Sequence, residues 1–235
     1  MDKRVKKMIL TSIFAAMSVL LYLFPKFSLP IFPSFLEINF SMLPIVICAF
    51  SCGPLFGGAC VLIRCIVNLI IEGSVSVGVG EIMDLILGFA VVLGSGFMYK
   101  YLKVKEPKKS ILSLLVCIGV WILAGVLLNV FYAVPAYLRL YFNGNKEALV
   151  SVLSKTIPGV NSSNYMSKYV IYAVIPFNLM LSSVVCIVTF FVNKAIYILY
   201  DDNRKEKKNE VEEIENNTDE SETSEELETK EEENA

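Results

Sequence analysis

Apolar intervals without charged residues recur along the chain and set its predicted elements. Asp, Glu, Lys and Arg are missing from residues 8–24, 38–63, 85–99, 110–138 and 169–193. A helix needs about 20 apolar residues to cross a bilayer, and Gly53-Pro54 offers a turn within the second interval. The pattern therefore predicts an all-α integral membrane protein, a bundle of six transmembrane helices near residues 8–24, 40–53, 54–72, 80–101, 110–138 and 167–199.

The positions of the basic residues favour six spans over five. Cytoplasmic loops of membrane proteins are enriched in Lys and Arg. With six spans, thirteen basic residues fall on one side, within residues 3–7, 100–109 and 204–208. The other side then holds only Lys26, Arg139, Lys146 and Lys155. We therefore expect a multi-pass protein of the cell membrane, in contact with membrane lipid and with both termini in the cytoplasm.

Composition adds a second region to this picture. Hydrophobic residues make up 55% of the 235 residues, and the mean hydropathy is +0.59, which is too apolar for an ordinary soluble domain. Residues 201–235 hold 16 acidic against 5 basic side chains, a net charge of −11, whereas residues 1–200 hold 7 against 16, a net charge of +9. We expect a membrane domain at 1–200 and a disordered acidic cytoplasmic tail at 201–235.

Missing residue types exclude several kinds of chemistry. The chain has no histidine, which excludes Ser-His-Asp and Cys-His nucleophiles and His-ligated zinc or haem. The six cysteines form no C-x-x-C pair and lie in apolar stretches, so we expect small buried side chains. No phosphate-binding loop occurs, so any ATP must be bound by another chain. We predict no enzyme activity, no cofactor, no metal and no nucleic-acid partner.

Two asparagines in predicted spans are the first candidates for a binding site. Asn129 lies deep in the fifth span, and Asn178 follows Pro176-Phe177 in the sixth. Polar side chains persist in spans where they face a cavity or a partner group. An amide offers both donors and an acceptor without charge, which suits a neutral heteroaromatic ligand with carbonyl and imide groups. The alternative is that both amides only form hydrogen bonds between helices.

Arg64 is the charged residue deepest in a predicted span. An unpaired arginine near mid-membrane costs roughly 2.5–3.5 kcal/mol even on a lenient insertion scale. Glu81 and Asp84 are spaced i, i+3 and share one helix face, so either could pair with it. We expect a structural ion pair between Arg64 and Asp84 or Glu81.

The first helix carries small residues at a spacing that favours close helix packing. Ser12 and Ala16 lie four residues apart, as do Thr11 and Ala15, and such pairs let a second helix approach closely in a bilayer. The partner is either another subunit or another helix of the same bundle. Basic residues precede this helix as in a signal peptide, but no small-residue cleavage site follows Phe24, which favours an uncleaved helix.

The connection after the first helix is aromatic and rich in proline. Residues 23–37 contain three prolines, which resist helix formation, and seven aromatic or leucine side chains, which favour burial. We interpret this segment as a lid over an outward-facing cavity; the alternative is an interfacial loop anchored by its aromatic residues.

The order of these motifs resembles a known family. The motifs are Phe32-Pro33-Ser34-Phe35-Leu36-Glu37-Ile38-Asn39-Phe40-Ser41-Met42-Leu43-Pro44, Gly53-Pro54-Leu55-Phe56-Gly57, Gly78-Val79-Gly80-Glu81, Asn129 with Pro135 and Tyr137, and Pro176-Phe177-Asn178. From about residue 8 to 200, their order resembles the substrate-binding S components of energy-coupling factor (ECF) vitamin transporters. Within that family the chain is most similar to the riboflavin-binding type.

The resemblance implies a six-helix subunit that captures riboflavin as a transported ligand. It implies docking on a transmembrane coupling subunit through Ser12 and Ala16, with two cytoplasmic ATPase subunits that use ATP to topple the bundle. By the same resemblance, the flavin is bound and covered by side chains of the predicted site. The expected substrate-binding residues are Asn129, Asn178, Phe35, Leu36, Asn39, Glu81 and Tyr132.

The chain departs from the riboflavin-type pattern at three places. Leu181 stands where a lysine is common, Asn39 where an aspartate is usual, and Arg64-Cys65 where a lysine-asparagine pair is expected. Loss of the lysine removes one hydrogen bond to a flavin, so another aromatic vitamin is the alternative ligand. An autonomous carrier or channel is a second alternative, although no internal repeat supports it. A membrane enzyme is a third, which the lack of histidine and of clustered carboxylates disfavours.

Overall fold

A computed structural model describes residues 2–74 and 76–195, apart from the side chain of Lys3. The predicted tail at 201–235 lies outside these residues. The helices are α1 Lys3–Leu23, α2 Met42–Ser51, α3 Pro54–Glu72, α4 Val79–Tyr101, α5 Lys108–Leu140, α6 Lys146–Leu153 and α7 Tyr165–Ala195. The ends of the predicted spans lie within five residues of the observed helix ends wherever those ends are described.

Five of these helices, α1, α3, α4, α5 and α7, are long and apolar enough to cross a membrane. The remaining predicted span, α2, has ten residues, about half of what a bilayer requires. Ser41 is its N-cap residue, and the side-chain oxygen of Asn39 accepts hydrogen bonds from the backbone N–H and the hydroxyl of Ser41. Its end is set by Gly53, whose φ of +114° favours glycine. Pro54 then opens α3 at the first helical position, where proline is tolerated.

Two helices contain a wider, π-helical turn. In α5 this turn is Asn129–Ala133, and in α7 it is Val170–Val174. Pro135 and Pro176 each follow at the second residue after the turn. Since proline cannot donate a hydrogen bond to the carbonyl four residues earlier, each wide turn lies where the regular helical pattern is already broken. The two π turns contact one another, which brings Asn129 and Asn178 to the same level of the bundle.

The bundle has two different ends. The loop end carries residues 24–41, 73–74, 76–78 and 141–164, and the turn end carries the short turns 52–53 and 102–107. At the loop end a small antiparallel ladder joins β1 Phe27–Ser28 to β2 Glu37–Ile38, with Phe27 opposite Ile38. Neither this ladder nor α6 was predicted from the sequence, because both are short and lie in loops.

Close packing at glycines holds α2, α3 and α4 together. A Cβ atom on Gly57 would lie 2.6 Å from Val92 Cγ1 and 2.7 Å from Ala49 Cβ. All six cysteines are free, and five of them are buried, as expected for small core side chains.

Candidate ligand-binding site

Two adjoining cavities open within the loop end of the bundle. The large cavity has a volume of about 460 Å³, and the small cavity, which lies deeper among the helices, has about 170 Å³. The combined volume of the two cavities lies within the size range of small-molecule binding sites. They share a wall formed by Phe35, Glu37, Asn39, Gly80, Asp84, Tyr137 and Tyr169. The shared wall makes the two spaces parts of one candidate site.

The large cavity combines aromatic rings with charged groups. Its tyrosine and phenylalanine side chains come from α1, α5, α7 and the loops between them. Its charged residues are Lys26, Glu37, Glu72, Glu81 and Asp84. Four carboxylates against one ammonium group give this cavity an acidic character, which disfavours an anionic ligand.

Lys26 ties the loop after α1 to the end of α3. Its ammonium lies 3.3 Å from a carboxylate oxygen of Glu37 and 3.2 Å from one of Glu72. Burial by itself lowers the pKa of Lys26, but the hydrogen bond to Glu72 and the charge of Glu37 outweigh burial and raise that pKa above its ordinary value. The lysine therefore stays charged and holds β2 against α3 at the mouth of the large cavity.

Asn129 and Asn178 both line the small cavity. Both are buried, with 5% and 6% of their surface exposed. Each amide nitrogen donates to the carbonyl four residues earlier, at 2.8 Å: Asn129 to Gly125 and Asn178 to Val174. The side chain of Asn178 also lies flat against Gly125, where a Cβ atom would be 2.9 Å from Asn178 Cγ. The structure thus brings the two predicted amides together across α5 and α7.

An aromatic cluster separates the two cavities. The ring of Phe35 lies 6.3 Å from that of Tyr137 and 5.9 Å from that of Tyr169, measured between centroids. Tyr169 also contacts the base of the site, where its hydroxyl donates to Asn129 Oδ1 at 2.9 Å. The loop residue Phe35 is therefore one ring contact away from the amide at the base of the site.

Arg64 lines the small cavity and contacts the residue that precedes α2. Its Nη2 atom lies 3.5 Å from Asp84 Oδ2, and its Nη1 atom donates to the hydroxyl of Ser41 at 2.7 Å. Of the two carboxylates considered from the sequence, Asp84 is the one in contact. Glu81 instead accepts a hydrogen bond from Ser76 at 2.8 Å. The guanidinium thus joins α2, α3 and α4 at one point.

The other predicted site residues divide into two groups. Leu36 lines the small cavity, Glu81 the large one, and Phe35 and Asn39 line both. Tyr132, which the sequence placed in the site, lines neither cavity.

Several lining residues were missed by the sequence reasoning. Trp121 and Asn68 are buried, and Trp121 Nε1, Asn68 Oδ1 and Arg64 Nε have no hydrogen-bond partner among the residues that the structure describes. Tyr137 was noted only within a motif, and Tyr169 was not singled out. An asparagine one turn from the end of α3 was a usable signal for Asn68, whereas buried aromatic residues in spans are too common to identify a site.

The two small-residue pairs of α1 face opposite ways. Thr11 and Ala15 are buried within the bundle, and Thr11 is within hydrogen-bonding reach of Cys48 at 3.7 Å. Ser12 and Ala16 are exposed. Internal packing therefore accounts for the first pair, and the second pair is available on the outside of the bundle.

Comparison with known proteins decides the family. The family model described as "ECF transporter, substrate-specific component" matches residues 6–193. The chain belongs to this family. The family named from the motifs is thereby confirmed, and members of it are substrate-binding components of membrane transporters.

Two curated relatives and one solved structure support this placement. The chain is 32% identical over 135 residues to the riboflavin transporter FmnP of Bacillus subtilis, a match that covers 57% of this chain and 70% of that protein. It is 28% identical over 203 residues to the riboflavin transporter RibU of Leuconostoc mesenteroides, covering 82% and 92%. A structure described as the S component of a bacterial ECF transporter has the same fold, with a TM-score of 0.62, 22% identity, and coverage of 84% of this chain and 99% of that one.

Proposed function

We propose that this ECF substrate-specific component captures riboflavin in the cavities at its loop end. The observation that carries the proposal is the pair of amides, Asn129 and Asn178, held side by side at the base of an aromatic-lined hollow. The relatives FmnP and RibU, both described as riboflavin transporters, support the choice of ligand.

The chemistry of riboflavin suits the two cavities. Its flat ring system carries carbonyl and imide groups on one edge, which amide side chains can recognise by hydrogen bonds without any change of charge. Aromatic faces such as those of Phe35, Tyr137 and Tyr169 favour stacking on such a ring. The polar groups of the large cavity, Lys26 and the carboxylates around it, suit the hydroxyl groups of the ribityl chain. Phe35 and Leu36 would close over the bound ligand, with Asn39 and Glu81 at its sides.

We also propose the membrane arrangement expected from the basic residues. The short helix α2 would pair with α3 to make the second and third of six spans, so that both termini lie in the cytoplasm and the loop end faces outward. The acidic residues 201–235, which lie outside the described residues, would then be on the cytoplasmic side and would have no role in binding. This arrangement places the mouth of the large cavity where an external vitamin arrives.

The exposed face of α1 is the proposed contact with a transmembrane coupling subunit. Only 22% of the apolar window of this helix is buried inside the bundle, the lowest value among the five long helices of the described chain. Ser12 and Ala16 lie on that face among the exposed side chains of Met8, Ile9, Ile13, Met17 and Leu20. Small residues at this spacing allow close helix contact. Two cytoplasmic ATPase subunits would supply the energy, and this chain would itself catalyse no reaction.

Riboflavin titration of the purified protein tests the proposal. The full chain in detergent should bind riboflavin with one-to-one stoichiometry in isothermal titration calorimetry and should quench flavin fluorescence. Flavin mononucleotide should bind more weakly, because its phosphate meets the acidic large cavity. Binding of a different aromatic vitamin, with none of riboflavin, would overturn the ligand assignment. Uptake into liposomes that contain this chain alone would indicate an autonomous carrier instead.

A further inference from the structure

Tyr169 connects the two asparagine-bearing helices inside the site. It ends the first α-helical segment of α7, directly before the π turn, and only 2% of its surface is exposed. Its hydroxyl donates to Asn129 Oδ1 at 2.9 Å, and its side chain lines both cavities. The Tyr169 hydroxyl therefore holds the Asn129 amide, which the ligand is proposed to contact.

The orientation of the Asn129 amide follows from its partners. A backbone carbonyl can only accept hydrogen bonds, so the group that faces Gly125 O at 2.8 Å must be the NH₂ end of the side chain. The Oδ1 atom then faces Tyr169, whose hydroxyl is the donor. With its oxygen engaged and one N–H bound to Gly125, Asn129 offers the small cavity its second N–H. It acts there as a donor.

Asn178 offers the opposite group. Its amide nitrogen donates to Val174 O at 2.8 Å. Its Oδ1 atom accepts no hydrogen bond from the residues that the structure describes, and it is not sealed from the cavity. The carbonyl end of Asn178 is thus available as an acceptor. The two amides differ in polarity, although the residue type is the same.

We propose that Tyr169 is a positioning residue that fixes the polarity of the site by locking the Asn129 amide. A ligand must then present a hydrogen-bond acceptor to Asn129 and a donor to Asn178. An edge with neighbouring carbonyl and imide N–H groups meets both requirements. This inference rests on the proposed function, since it assigns the recognition of one edge of the flavin ring.

A double-mutant cycle tests whether Tyr169 acts through Asn129. Tyr169→Phe removes only the hydroxyl and should weaken riboflavin binding roughly five- to tenfold, as expected for one lost hydrogen bond. In the Asn129→Ala background the same change should alter the affinity less than about twofold. In the Asn178→Ala background the full loss should remain. A purely structural role would give similar losses in both backgrounds.

The control is Tyr172→Phe, which removes a hydroxyl from the same helix at an exposed position that lines neither cavity. It should leave the affinity unchanged. The affinities are measured by calorimetry on the full chain. For a variant too unstable for calorimetry, the rise in unfolding temperature on adding riboflavin replaces the affinity in the double-mutant cycle. Equal losses of affinity in both backgrounds, or no loss at all, would overturn the positioning role of Tyr169 and leave the proposed function standing. A wild-type protein that does not bind riboflavin would overturn the proposed function and this inference with it.

Discussion

The two ends of the bundle are built from the same helices but are packed in opposite ways. At the loop end, the helices and loops enclose cavities of about 460 and 170 Å³. At the turn end, Gly57 lets α3 pack directly on α2 and α4, and the rings of Phe50 and Tyr99 stack 4.3 Å apart. A hollow has no packing of its own to stabilise it. The close packing of the turn end therefore allows the loop end to remain open.

The polar side chains of the two ends differ as well. At the turn end, Tyr99 donates to Glu106 at 2.6 Å, and Asn193 donates to both Tyr99 and Ser110. Among the residues that line the cavities, Trp121, Asn68 and Arg64 each retain a buried polar atom without a partner in the described chain, as Ser113 and Thr189 do in the packed part of the bundle. Unpaired buried groups are costly, and the three at the cavities lie where a ligand is proposed to bind. Folding contacts and binding contacts are thus separated in space, and substitutions should separate them too.

The largest expected effect is at Arg64, where the two ends meet. Arg64→Met leaves Asp84 without its cation and Ser41 without its donor. Since Arg64 is buried but 36% of the Asp84 side chain is exposed, the cost should approach without reaching the roughly 3–5 kcal/mol of a fully buried pair. We expect a lower unfolding temperature and a smaller monodisperse peak in gel filtration, with less change in ligand preference. The matched control, Lys103→Met, removes an exposed charge and should change neither. Normal folding with lost riboflavin binding would instead assign Arg64 to the ligand.

Gly57→Val tests the packed end by itself. The new side chain would overlap Val92 and Ala49, whose atoms lie 2.6 and 2.7 Å from the position of the first added carbon. Overpacking of this kind costs about 1–3 kcal/mol, so the unfolding temperature should fall while the folded fraction binds riboflavin with normal affinity. Gly119→Val is the control, because no atom lies within 4 Å of a Cβ at Gly119. Equal destabilisation by both variants would contradict the division between the two ends.

Asn178→Ala tests the hollow end. The loss of one buried ligand partner should weaken riboflavin binding by about 1–3 kcal/mol, measured by calorimetry. The unfolding temperature without ligand should change little, because the lost hydrogen bond to Val174 lies within one helix. Wild-type affinity in this variant would refute the assigned role of the amide.

Gly125→Ala should produce a smaller version of the same effect. Its methyl group would lie 2.9 Å from Asn178 Cγ and Oδ1, so the amide must move without being removed. We expect binding to weaken by about 1 kcal/mol. Gly119→Ala, in the same helix but without neighbours at its Cβ, is the control. Similar affinities for the two variants would show that the position of Asn178 is not critical.

The long helices could be predicted from the sequence because uncharged apolar intervals mark membrane spans and Gly53-Pro54 marks a turn, and both signals depend only on neighbouring residues. The asparagines and the Arg64 neighbourhood were found for a similar reason, since a polar group in a span needs a partner. The hydroxyl bond from Tyr169 to Asn129 could not be predicted, because it depends on how α5 and α7 face one another. Pro135 and Pro176 mark broken helical hydrogen bonding in the sequence, but proline alone does not specify a π turn. Tyr132 was placed in the site by sequence proximity to Asn129, and it lines neither cavity.

The smallest expected effect is at the mouth of the large cavity, where Lys26 bridges Glu37 and Glu72. Partly exposed ion pairs contribute about 1 kcal/mol or less, so Lys26→Met should mainly raise the riboflavin dissociation rate, by about two- to fivefold, in stopped-flow fluorescence. Because the folded pKa of Lys26 lies above its ordinary value of 10.5, the contribution of the lysine is fully present below that pH and is lost only as the pH rises through the folded pKa. The rate difference from wild type should therefore stay constant between about pH 6 and 9. The control is Lys155→Met, an exposed lysine at the same end of the bundle, which should leave the dissociation rate unchanged. A similar increase in that variant would show that the net charge of the loop end, rather than the ion pairs of Lys26, controls the loop.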